Sequence, residues 1–193
     1  SRLLYLKGRG LPYRELNTYW SIGEIVQRYL GVDESMEKAD MRQRLEKGTP
    51  PELAPLLARF IALDYPDARL SQLTAEQLKR EAHAALSTLI RQQSERRPVL
   101  LIFEDVHWLD PSSLDAIKDL IVHLQGARVL VILCGRPDFT GAQDLAPART
   151  HLALASLTQQ ESLTLIEGLL AIADFPDAVK EHDRTGKSLP SLH

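Results

Sequence analysis

The segment Glu104-Asp105-Val106-His107-Trp108-Leu109-Asp110 sets two adjacent carboxylates, an imidazole and a third carboxylate within seven positions. It follows a continuously apolar run, Val99-Leu100-Leu101-Ile102-Phe103, so both acids stand where a buried strand should end. Acids so placed can divide a phosphoryl-transfer reaction between them. The first holds a Mg²⁺ through its water shell, and the second orients and deprotonates the attacking water. Two like charges this close repel each other unless a cation or solvent accompanies them. The competing account is a solvated strand-to-helix turn in which Asp110 is simply a helix cap. A second candidate follows the apolar run Val129-Leu130-Val131-Ile132-Leu133, where the chain reads Cys134-Gly135-Arg136-Pro137-Asp138. Arg136 can reach a terminal phosphate as a bidentate donor, or pair structurally with Glu104 or Asp105; spacing does not choose between them. Cys134 reads as a buried small hydrophobe rather than a nucleophile, because no His–Asn partnership is suggested for it.

The elements that must position these residues are legible. A run apolar on both faces, such as Val99 to Phe103, suits a central parallel strand. Asp110-Pro111 supplies an N-cap with proline at the first helical position, and Leu114, Ile117, Ile121 and Leu124 then line one helix face up to Gly126. Val129 to Leu133 is the next buried strand. Strand, helix and strand fill the ~30 residues of a βαβ unit, which predicts two parallel strands. Ligands of such sheets gather beyond the carboxyl ends of the strands, where Glu104, Asp105 and Arg136 all fall.

Upstream, Arg2 to Lys7 reads as a strand closed by Gly8-Arg9-Gly10. Ile22, Ile25, Val26, Tyr29 and Leu30 form a helical stripe stopped by Gly31. Helices are expected from Ser35 to Lys47 and along the stripe Leu53 to Ile61. Thr74 and Gln77 have capping-box spacing and open a long helix to about Ser94. Downstream, 152–157 reads as a short strand, Thr158 and Glu161 form a second capping box before Leu163, Ile166, Leu169 and Leu170, and the chain turns polar from Lys180.

Composition limits the function classes. The chain has 193 residues, 23 Lys+Arg against 26 Asp+Glu and a net charge of -3, so it has no basic field to hold a nucleic acid. One cysteine excludes an internal disulfide framework. No apolar run approaches the ~18 residues that span a bilayer, and no signal peptide opens the chain. A soluble, cytoplasmic domain is expected. The first residue is Ser1 rather than methionine, which reads as a start in mid-protein.

Arg97 to Leu114 resembles the Walker B segment of the AAA+/STAND-type ATPase modules attached to class III adenylate/guanylate cyclases and to LuxR-type regulators. Further matches lie in Gly8-Arg9-Gly10-Leu11-Pro12-Tyr13 with Tyr19-Trp20, which is similar to that family's second-strand region. Gly135-Arg136-Pro137 is similar to its sensor 1 element, and Leu152 to Leu157 with Thr158 and Glu161 to the entry of its helical lid. The resemblance implies an α/β fold: a parallel-sheet P-loop NTPase core of the ASCE/AAA+ type, covering residues 1–157 with a helical insertion at about 35–94. Residues 158–193 would be the start of the lid and a polar tail. It implies Mg²⁺ and ATP as cofactors, Glu104 as the Mg²⁺-associated acid, Asp105 as the acid that touches both metal and attacking water, and Arg136 as the phosphate sensor. His107 and Trp108 match family positions, the indole packing under the site.

The chain departs from the family in one respect that matters. No Gly-x-x-x-x-Gly-Lys-Ser/Thr occurs in the 193 residues, so the Walker A cradle for the phosphates is missing. Gly186-Lys187-Ser188 is no substitute, since no apolar strand precedes it. Family members carry the P-loop some tens of residues before the segment that opens here, which implies an N-terminal truncation and a core lacking its P-loop strand. That strand would lie between the Arg136 strand and the Leu152 strand. Two functions follow. The first is an ATP-binding, ATP-hydrolysing regulatory module of a multidomain signalling protein, including transcription regulators, acting on a neighbouring effector domain and leaving a homo-oligomer open. The alternative is a non-catalytic interaction domain with a degenerate nucleotide site. A receiver-type phosphotransfer domain is set aside, because no lysine stands at the tip of the second strand.

Overall fold

The computed structural model describes residues 3–12, 18–139, 141 and 150–172. Among them are three strands, β1 (Leu4–Arg9), β2 (Val99–Glu104) and β3 (Val129–Leu133). The helices are α1 (Trp20–Leu30), α2 (Lys38–Gly48), α3 (Ala54–Ala58), α4 (Ala75–Arg96), α5 (Pro111–His123) and α6 (Gln159–Ile172). The chain forms two compact units, residues 1–150 and 151–193. The first holds the sheet and helices α1 to α5. In the second, α6 opens with the expected capping box, Thr158 Oγ1 accepting from the Glu161 N–H at 3.3 Å and the Thr158 N–H donating to Glu161 at 2.8 Å.

Local signals explain several boundaries. Gly31 takes φ 65° and the Val32 N–H returns to the Gln27 carbonyl at 3.0 Å, a left-handed cap that ends α1. The Thr74 and Gln77 side chains satisfy each other's backbone N–H groups at 3.2 and 2.8 Å, which starts α4. Asp110 caps α5 by accepting from the Ser113 N–H at 2.9 Å.

The strands run parallel in the order β1-β2-β3, with Arg9 level with Glu104 and Phe103 level with Leu133. This is the expected α/β architecture, with β2 in the centre. Side chains alternate across a strand with period two, so Val99, Leu101 and Phe103 share one face, and all three are buried. On that side Leu6, Ile22, Leu86, Ile90, Ile117 and Leu120 join the same core. Helix α1 packs on β1, and α4 on α5.

Four expectations need correction. β2 buries only one face fully, its alternate residues Leu100, Ile102 and Glu104 being half-buried. β3 is not enclosed: Leu130 is 60% and Ile132 37% exposed, because they stand on the sheet face opposite the buried Leu101 and Phe103, level with Leu100, Ile102 and the exposed Tyr5. Residues 152–157 form no strand, and no described strand pairs with them. Gly8 and Arg9 extend β1 rather than closing it. A Cβ on Gly8 would stand 2.3 Å from the Ser21 carbonyl oxygen, so glycine serves close packing of the strand on α1.

Candidate functional site at the carboxyl ends of the strands

The polypeptide leaves β2 in a sharp reversal. Asp105 adopts φ 53°, ψ 45°, a left-handed conformation that costs a non-glycine residue about 1–3 kcal/mol and that aspartate tolerates better than most. A single turn of 3₁₀ helix, Val106–Trp108, follows, with the Trp108 N–H donating to the Asp105 carbonyl at 2.8 Å. Flanking strands pin this reversal from both sides. On the β1 side the Gly10 N–H donates to the Glu104 carbonyl at 2.8 Å, and a Cβ at Gly10 would stand 2.3 Å from the Asp105 carbonyl oxygen. On the β3 side the Val106 N–H donates to the Cys134 carbonyl at 3.0 Å. The strained residue is therefore one the surroundings over-determine.

Glu104 and Asp105 both reach solvent, with 31% and 39% of their side chains exposed. Glu104 is not bare. Its Oε2 accepts from Lys7 Nζ at 2.8 Å and from Arg9 Nη2 and Nε at 2.8 and 3.1 Å. Lys7, and after it Arg9, hold the Glu104 carboxyl below the usual carboxylate range. The Arg9 Nε also lies 3.9 Å from Asp105 Oδ2. These two cations answer the repulsion expected of adjacent acids. Sequence reading passed over them, although Lys7 and Arg9 sit two apart on one strand face, a spacing that aims both at the tip of the neighbouring strand.

Arg136 does not pair with Glu104 or Asp105; its guanidinium carbon lies 5.6 Å from the centre of the Trp108 ring. His107 packs against the same indole with ring centres 4.5 Å apart and planes at 46°. Neither ring nitrogen of His107 is exposed, and neither has a hydrogen-bond partner among the described residues. Cys134 is exposed, contrary to the expected buried hydrophobe, and stands just beyond the end of β3.

A second polar network lies outside the acidic turn. His83, 3% exposed, contacts Asp119 Oδ2 through Nδ1 at 2.6 Å and the Tyr19 hydroxyl through Nε2 at 3.0 Å. Burial pushes the Tyr19 hydroxyl pKa up. The Tyr19 N–H donates to Asp110 Oδ1 at 3.2 Å, so the residue before α1 is tied to the cap of α5. No sequence spacing announces this set, which draws on three separate helical segments.

A parallel sheet with an acidic turn after its central strand is the arrangement of a P-loop-type ATPase core, and residues 5–132 match the AAA ATPase domain family. The chain belongs to that family. The AAA ATPase domain match spans β1 through most of β3, taking in the acidic turn and stopping just before Arg136. The chain is also similar to an "Uncharacterized protein" of Rhizobium meliloti (strain 1021), at 28% identity over 116 residues. That match covers 58% of this chain and 11% of the relative, so the chain spans about a tenth of the length of the curated relative it matches. No solved structure matches the chain.

Hard carboxylate oxygens suit Mg²⁺, which usually takes one or two protein carboxylates and completes its shell with water and substrate phosphates. Glu104 and Asp105 offer that donor set. Among the described residues no group of three or more His, Cys, Asp and Glu side chains gathers to hold a metal. No described helix is long and apolar enough to cross a membrane.

Proposed function

We propose that this AAA ATPase domain is the ATP-binding and ATP-hydrolysing regulatory module of a larger signalling protein, working on a neighbouring effector domain. The observation that carries the reading is the pair Glu104 and Asp105 at the end of the central strand, with Asp105 held in a strained left-handed turn. In this account Glu104 and Asp105 would hold the Mg²⁺ that accompanies ATP. Asp105 would also hold the attacking water and take its proton. Arg136, beyond the adjacent strand, donates to the terminal phosphate. The metal supplies charge neutralisation on the phosphates. Lys7 and Arg9 keep Glu104 ionised and aimed.

The second reading, a non-catalytic interaction domain, also has an observation in its favour. Two cations already neutralise Glu104, and a Mg²⁺ must displace them. Release of phosphate from ATP by the full-length protein, measured with and without Mg²⁺, separates the two. Turnover that requires Mg²⁺ supports the ATPase; no turnover under either condition supports the interaction domain.

A further inference from the structure

We infer that Trp108 is a positioning residue for Arg136: its indole face holds the guanidinium with the N–H fork free for a phosphate. This rests on the reading of Arg136 as the phosphate-contacting cation and deepens it.

Three observations converge. The guanidinium carbon of Arg136 lies 5.6 Å from the indole centre, within cation–π range, and the side chain is otherwise exposed. Among the described residues no carboxylate forms an ion pair with Arg136, while Glu104 and Asp105 face Lys7 and Arg9 instead. A guanidinium held through its π face keeps its in-plane donors, whereas one held by a carboxylate spends two of them. The acids and the arginine are thereby kept from neutralising each other.

The backbone fixes the platform. Trp108 closes the 3₁₀ turn through its N–H bond to the Asp105 carbonyl, so the indole is built on the same strained turn as the acidic pair. His107 packs on the indole at 4.5 Å. Gly135, next to Arg136, passes so close that a Cβ there would stand 2.6 Å from Val106 Cγ2 and 3.9 Å from His107 Nδ1. Glycine at 135 thus lets the segment carrying Arg136 press onto the turn carrying Trp108. One short reversal orients the water-activating acid and, through the indole, the cation expected on the phosphate.

The test is a double-mutant cycle on the full-length protein, reading the dissociation constant of a non-hydrolysable ATP analogue by calorimetry. Arg136→Ala should loosen binding by roughly tenfold or more, the worth of a charge-assisted hydrogen bond. Trp108→Leu should loosen it roughly two- to fivefold, the range of an exposed cation–π contact. In the Arg136→Ala background, Trp108→Leu should change nothing further. Trp108→Phe keeps a ring under the guanidinium and should bind within about twofold of the parent. If Trp108→Leu loses its melting transition, Trp108→Met replaces it in the cycle. Losses that multiply, or a Phe variant as weak as the Leu variant, overturn the role of Trp108. A normal constant for Arg136→Ala overturns instead the reading of Arg136 on which it rests.

Discussion

Asp110 offers the sharpest energetic test of how the acidic turn is anchored. It is 5% exposed, and its carboxylate serves three donors. Oδ1 accepts from the Ser113 N–H at 2.9 Å and the Tyr19 N–H at 3.2 Å, and Oδ2 from the Ser113 hydroxyl at 2.5 Å. Asp110→Ala removes the cap of α5, at about 1 kcal/mol. It also strands the Tyr19 N–H and the Ser113 hydroxyl, and each buried donor left unpaired costs about 1–3 kcal/mol unless it rotates or finds water. The Ser113 hydroxyl can rotate, so the expected total is roughly 2–4 kcal/mol. For a domain of this size that lowers the melting temperature by roughly 5–15 °C. Asp110→Asn keeps one acceptor oxygen and should lose about half as much. Urea unfolding followed by circular dichroism gives the difference. A loss below about 0.5 kcal/mol for the alanine variant, or an asparagine variant as unstable as the alanine one, would refute the triple role.

Three other perturbations address the surroundings of the turn. Because Lys7 and Arg9 depress the Glu104 pKa in the folded state, its stabilising contribution is present above the unfolded value near ~4.3. It is lost as pH falls through the folded value. Glu104→Gln should therefore flatten the dependence of the urea midpoint on pH below about 4.3, and parallel curves for parent and variant would contradict the pairing. Gly10→Ala drives a Cβ against the Asp105 carbonyl oxygen, which is backbone and cannot yield alone; a loss of about 1–3 kcal/mol is expected, and an unchanged melting temperature would show that the turn is not clamped there. Tyr19→Phe should cost about 1 kcal/mol and His83→Ala about 2–4, because the latter strands two partners and leaves a cavity; equal losses would argue against His83 as the centre of that network.

The sequence showed the local elements around the acidic turn more clearly than their long-range contacts, and the reason is distance along the chain. Val99 to Phe103, the Thr74 capping box, the Gly31 stop and the Asp110 cap are local features, written within a few residues, and each has its expected structure. Burial of β3 is not local. It depends on what covers the sheet face that carries Leu130 and Ile132, and apolar composition alone gave the wrong answer for them and for Cys134. The partner of Arg136 was equally hidden: spacing left a phosphate and an acid as candidates, while the contact found is the face of Trp108. Register hid the cations too, since only the pairing of Arg9 with Glu104 across two parallel strands brings Lys7 and Arg9 to the acid. The left-handed turn at Asp105 carries no signature in residue type beyond aspartate's tolerance for it.

The central claim, that Asp105 acts on the water that attacks a nucleotide phosphate, is tested most directly by one comparison. Phosphate release from Mg²⁺·ATP is measured for the full-length protein and for Asp105→Asn, with nucleotide binding followed in parallel. The account predicts that the variant still binds nucleotide but turns over slower by about 10²- to 10⁴-fold, the usual contribution of a positioned general base. Turnover equal to that of the parent would contradict it.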